Sequence, residues 1–296
     1  MISVTKLPNE DRKIATPYYC PDAGSIVGIH DLYNKVVKLR EEIDVLEKKH
    51  KLWGTERHNL KYGIYFRGQP NYRDPLIPKV GRLEYRPDQE RNVLHRFRRR
   101  SYFQYQRILT DWEALFLARH FGLPTRLLDW TSGQYVGLYW ACEKDEDMEK
   151  DGAVWVLVRQ PGEGYDLNVF NQPLMTKYSY AEQGRFLVKG VKLVYPFYVH
   201  PRMTAQASLF TIQDDPAKHL EEYDPNQYAR KDFDIFHLRR WKVPKGKTKK
   251  KILGQLEDIG VNIQTLFPDL EGLVKGIEQT EEARSQRNKQ KKDKHQ

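Results

Sequence analysis

Ile29, Leu32, Val36, Leu39, Ile43 and Leu46 recur at alternating steps of three and four. That spacing predicts an amphipathic helix over 26–52, with charged residues filling the other face. The stripe covers fewer than three heptads, so packing onto its own domain is favoured over dimerisation; recruitment of a protein partner is the alternative. Short apolar runs at 62–68 (YGIYFRG), 152–158 (GAVWVLV), 185–188, 191–195 and 209–212 predict strands. Between them the pattern predicts a basic helix over 89–105 and a helix that Asp111 caps and Gly122 stops. The string 125–131 leads into another helix capped by Thr131 or Ser132. Helical segments over 250–258 and after Leu266-Phe267-Pro268 close the fold.

Strands and helices alternate without a regular βαβ rhythm, which predicts an α+β fold, one globular domain on a mixed sheet. Residues 1–25, with Pro8, Pro17 and Pro21, read as an extended lead-in, and 26–280 as the domain. From Glu281 the chain holds six basic and three acidic residues with almost nothing apolar, the composition of a disordered basic tail over 281–296.

Composition narrows the class. The chain of 296 residues carries 18 Tyr, 12 Phe and 6 Trp, too many aromatics for a disordered protein. No run approaches the roughly 18 apolar residues of a membrane span, and the first residues lack a secretory core. Two cysteines, Cys20 and Cys142, form no metal-ligand pattern, so neither a metal site nor a disulfide framework is expected and a cytoplasmic setting fits. Cys142, in an apolar run, reads as a buried inert thiol. The net charge of +10 includes Lys245, Lys247, Lys249, Lys250 and Lys251, a cluster that suits a phosphate backbone or simply solvent. No dinucleotide, phosphate-loop, zinc-protease or serine-hydrolase motif occurs.

Four places carry candidate chemistry. Arg67 ends an apolar strand beside Gly68, where a guanidinium suits a phosphate or carboxylate ligand and a glycine lets it approach the backbone; a loop tie to a nearby carboxylate is the equal alternative. The stretch 120–131 gathers His120, Thr125, Arg126, Asp129, Trp130 and Thr131. Arg126 and Asp129, three apart, suit an intrahelical pair, which would make the motif structural. Arg202 and Gln206 precede a strand, the Gln206 amide serving either a ligand or the neighbouring backbone. Glu182 sits in a turn-like Glu-Gln-Gly-Arg and reads mainly as structure.

Tyr65-Phe66-Arg67-Gly68-Gln69, then His120-Phe121-Gly122-Leu123-Pro124-Thr125-Arg126-Leu127-Leu128-Asp129-Trp130-Thr131, then 202–210 and 252–273, resemble the FRG-domain family, named for its Phe-Arg-Gly motif. The resemblance spans about 62–278. Arg119 stands where the family pattern implies Gln, and Ser208 where it implies Gly. FRG domains are mostly bacterial or phage-encoded and occur among proteins linked to phage defence. The Arg-Gly at a strand end also resembles the opening motif of ADP-ribosyltransferases. That resemblance implies an NAD-utilising, ADP-ribosyltransferase-like or NAD-cleaving enzyme with NAD as substrate. Arg67, Asp129 and Gln206 would carry the chemistry. Tyr65, Gly68, Gln69, His120, Thr125, Arg126, Trp130, Thr131 and Arg202 would line the cofactor site, with Trp130 or Tyr65 stacking on its rings. No Glu-x-Glu is present, so Asp129, Glu182 or the Gln206 amide would take the carboxylate's place. The alternative is a non-catalytic module for nucleotide or nucleic acid, held through Arg67, Arg126, the lysine cluster and the tail.

Overall fold

The computed structural model describes residues 19–20, 23–52, 62–82, 87–143, 148–159, 173–175, 186–223 and 236–293. Glu182 and most of the expected lead-in lie outside them. The chain forms an α+β fold around one seven-stranded sheet. The strands are β1 (Tyr19–Cys20), β2 (Gly63–Gln69), β3 (Leu127–Thr131), β4 (Gly152–Arg159), β5 (Val191–Val194), β6 (Ser208–Gln213) and β7 (Phe236–Val243). They lie in the order β1-β7-β4-β2-β3-β6-β5, all antiparallel neighbours except the parallel β1–β7 edge.

β4 is buried at all eight positions, because both faces of the sheet are covered there. Val154, Val156 and Val158 meet the helices α1 (Ile29–Leu52), α5 (Gln134–Cys142) and α7 (Lys247–Asp258), while Trp155 and Leu157 enter the core on the other face. The stripe Leu32, Val36, Leu39 and Ile43 of α1 lies in the first of these cores. It therefore packs on its own domain, as its length suggested.

A third core joins β3, β5 and β6 to α2 (Pro87–Arg100), α4 (Asp111–His120) and α6 (Pro201–Ala205) through Leu94, Trp112, Phe116, Leu127, Met203 and Phe210. The basic helix expected over 89–105 is two pieces: α2 ends at Arg100, and α3 covers Tyr102–Tyr105 before Gln106 turns the chain at φ 51°. α4 is capped by Thr110, which accepts from the Glu113 amide while Glu113 reaches back, and Asp111 is its first residue rather than its cap.

The string 125–131 does lead into a helix, α5, but it is not itself the expected helical turn pairing Arg126 with Asp129: Leu127–Thr131 is a strand whose five residues all pair with β6. Arg126 and Asp129 therefore do not meet. Likewise Gly133 is the N-cap of α5, and Thr131 Oγ1 accepts from the Gly133 amide rather than capping the helix. After α7 come α8 (Ile263–Leu266) and α9 (Leu270–Asp293). The segment from 281 continues α9 as backbone, and its side chains beyond Glu281 lie outside the described residues.

Candidate functional site

β2 and β3 share a single residue pair, Phe66 with Thr131. Beyond it the strands part, and the Asp129 carbonyl has no strand partner on that side. Arg67 fills the gap, donating from Nη1 to the Asp129 carbonyl at 2.9 Å and to its carboxylate at 3.2 Å. Gly68 serves a different purpose from the one its sequence context suggested. A Cβ there would stand 2.1 Å from the Gly137 carbonyl and 2.4 Å from the Ala141 amide. The glycine admits the backbone of α5, not a ligand.

The parted strands open into a cleft of about 490 Å³. Its floor is the Arg67–Asp129 pair; Arg119 of α4 closes on the same carboxylate through both Nε, at 2.9 and 3.0 Å, and Nη2. Arg119 is the residue standing where the family pattern implies Gln, and its position in the cleft was not foreseen. Lys79, Arg82 and Arg202 add positive charge to the walls, against Asp74 and Glu143. Arg202 itself is held by Asp269, through Nε and by Nη2 at 2.7 Å, and by Glu271 at 2.6 Å, with its guanidinium 4.6 Å from the Phe267 ring. Trp140 and Phe267, in edge contact at 5.7 Å, supply the aromatic wall.

Burial lowers the Arg67 guanidinium to about 10, partly offset by Asp129. Burial alone would raise the Asp129 carboxyl, but the charge and hydrogen bonds of Arg119, then Arg67, outweigh it and hold the group well below the usual carboxylate range. Asp129 thus stays ionised at neutral pH, with 40% of its side chain exposed to the cleft. His120 also lines the cleft, its ring 4.3 Å from that of His200. Burial, then His200 and Arg202, lower its pKa to about 4, so it is neutral at pH 7, and its buried Nε2 has no hydrogen-bond partner.

Of the sequence-derived site residues, Arg67, Gly68, Gln69, His120, Asp129, Trp130, Thr131, Arg202 and Gln206 line this cleft. Several are already committed elsewhere. Gln69 donates to the Pro75 carbonyl and accepts from the Trp155 indole. Gln206 donates to the Leu266 carbonyl, and Thr131 to the Gln206 carbonyl. Trp130 is 2% exposed with its indole N–H on Thr211, so it offers no free ring face. Tyr65 lies off the cleft, its hydroxyl 2.8 Å from that of Tyr195. Thr125 and Arg126 are off it as well: Arg126 is sealed against Glu90 at 2.9 Å and stacks 3.5 Å from the Phe186 ring. Sequence reasoning did not place Lys79, Arg82, Arg119, Trp140 or Phe267 here; Arg119 directly precedes the central motif and Trp140 lies on the helix after it, while Lys79, Arg82 and Phe267 come from segments distant from it.

The family model of the FRG domain matches residues 63–150. The chain carries an FRG domain. That match contains β2, α4, β3 and α5, hence Arg67, Arg119, His120 and Asp129; the stretches 202–210 and 252–273, which resemble the same family, fall outside it. No curated protein and no solved structure matches the chain. Among the described residues no group of three or more His, Cys, Asp or Glu is placed to hold a metal, and no helix is long and apolar enough to cross a membrane. Cys142 is buried, its thiol pushed up to about 12 by burial. Within the lysine cluster Lys249 is fully buried with its Nζ 2.7 Å from the Pro70 carbonyl, while Lys245, Lys247, Lys250 and Lys251 are exposed.

Proposed function

We propose that the FRG-domain cleft binds a diphosphate-bearing nucleotide of the NAD type and acts on its nicotinamide–ribose bond, as an ADP-ribosyltransferase-like or NAD-cleaving enzyme. The observation that carries this reading is the convergence of Arg67, Arg119 and Asp129 in one cleft whose volume suits a nucleotide. Guanidiniums are matched to phosphate oxygens in charge and geometry. Lys79 and Arg82 extend that field, and Trp140 with Phe267 gives an aromatic ring a surface to lie on. Asp129, ionised and half open, accepts from a ribose hydroxyl and favours the positive charge that develops as the bond between ribose C1′ and the nicotinamide nitrogen breaks. Nicotinamide leaves with the bonding pair, and water or an acceptor's nucleophilic atom completes the bond to C1′. A setting in phage–bacterium conflict rests on the family resemblance alone.

One feature of the site favours a second reading, a nucleotide-binding module without catalysis. Asp129 is already matched by two guanidiniums, so the trio carries net positive charge, which suits an anion better than a developing cation. One experiment separates the two. The purified protein is incubated with NAD and assayed for nicotinamide release, beside calorimetric titration with ADP-ribose, in the wild type and in Arg67→Ala checked for folding. Release lost in Arg67→Ala supports the enzyme. Tight ADP-ribose binding with no release supports the module. Neither release nor binding overturns both.

A further inference from the structure

The other end of α4 carries a second basic concavity, about 540 Å³, lined by His95, Arg96, Arg98 and Arg99 of α2, Tyr102 of α3 and Ile108. Arg96, Arg99 and Arg100 stand at i, i+3 and i+4, so their guanidiniums share one helix face. The neighbouring carboxylates are already taken, Asp111 by Arg98 at 2.6 Å and Glu113 by Arg107 at 2.6 and 2.9 Å. Among the described residues, no carboxylate is in ion-pair reach of Arg96, Arg99 or Arg100. Directly beside this uncompensated charge, Tyr102 is 51% exposed, Phe103 78% and Ile108 68%.

We propose that this face of α2 and α3 binds single-stranded nucleic acid, the arginines following the phosphates while Tyr102 and Phe103 stack on unpaired bases. Unmatched guanidiniums alone would suit any polyanion. Exposed rings set among them need flat apolar partners between the phosphates, and only unstacked bases offer both at that spacing. A duplex keeps its bases inside and would leave the rings in water. The site lies about 15 Å from the cleft, one α4 length away, and does not depend on what the cleft binds.

The test measures fluorescence anisotropy with labelled 15-nucleotide oligo(dT) and oligo(U), a 15-base-pair duplex and polyglutamate as probes, over a range of salt. Arg96→Glu/Arg99→Glu is compared with Tyr102→Ala/Phe103→Ala and with Lys247→Glu/Lys250→Glu on α7. All six positions are exposed, and circular dichroism confirms that each variant folds. The arginine pair is expected to weaken single-strand binding by more than tenfold and to flatten the salt dependence by about 1.4 in log–log slope. The aromatic pair is expected to weaken it about tenfold or more, and the α7 pair by less than threefold. Stronger binding to oligo(U) than to oligo(dT) would assign RNA, and the reverse DNA. The proposal is overturned by absent binding at low salt, by duplex or polyglutamate binding as tight as the single strand, or by loss in the α7 pair alone.

Discussion

Two arginine–carboxylate pairs come from the same short motif and do opposite things. Arg126 and Glu90 are sealed, their side chains 3% and 1% exposed, with Glu90 also accepting from the Arg126 backbone amide at 2.7 Å. Asp129, three residues on, sits among Arg67 and Arg119 with 40% of its side chain open to the cleft. The chemistry is the same; the difference is which groups are left with unused capacity. Every charge in the first pair is satisfied and enclosed, so it can only hold α2 to the start of β3. The second leaves carboxylate oxygen and guanidinium edges facing 490 Å³ of open space.

The sealed pair should break hardest. Arg126→Ala leaves the Glu90 carboxylate buried without a counter-charge, held only by the backbone amide of residue 126, and burial already pushes that carboxyl upward. A loss of about 3–5 kcal/mol is expected, read as a drop in the urea midpoint. The double replacement Arg126→Met/Glu90→Leu should recover much of it, since apolar groups of similar volume carry no desolvation penalty. Equal damage from single and double replacements would show that packing against Phe186, not the charge pair, secures this corner.

The open trio should respond differently. Asp129→Asn keeps the shape of the side chain but removes the charge that two guanidiniums share. Stability should fall by about 1–3 kcal/mol, less than at the sealed pair because solvent reaches the cleft. Binding of an anion such as ADP-ribose should strengthen, because Arg67 and Arg119 are released toward it, while nicotinamide release, where present, should be lost. Weaker ADP-ribose binding would mean that Asp129 itself, through a ribose hydroxyl, holds more of the ligand than the arginines do. Either result is read by calorimetry on the folded variant.

This contrast also marks what the sequence could tell. The strands at β2, β4 and β6 and the stripe of α1 were legible because each pattern is written locally, and burial followed it. The string Leu127-Leu128-Asp129-Trp130 was not, since two leucines between an arginine and an aspartate suit a helix as well as a strand. Pairing with all of β6 decided it. The same error paired Arg126 with Asp129, whereas strand geometry sends them to different partners, Glu90 and Arg119. Arg67, Asp129 and Gln206 were found because the motif concentrates unusual residues. Arg119 had a signal, its departure from the family pattern, which pointed at the pocket without saying what it would do there. Phe267 and Arg82 carried none, being ordinary residues that only the folded chain brings to the cleft.

A third pair extends the series to the surface. Lys275 and Glu271, four apart on α9, meet at 2.8 Å with side chains about half exposed. Glu271 is held down to about 2, chiefly by Arg202 and then by Lys275. Removing Lys275 leaves no charge stranded, because water solvates the carboxylate and Arg202 still binds it. Lys275→Ala should therefore cost only about 0.3–0.5 kcal/mol, a loss that shrinks further in high salt. A cost near that of Asp129→Asn would show that Lys275 acts through Glu271 on Arg202 and so on the wall of the cleft. In that case the altered ADP-ribose affinity of the same variant would reveal it. With no change in affinity, enclosure alone sets the order of the three pairs.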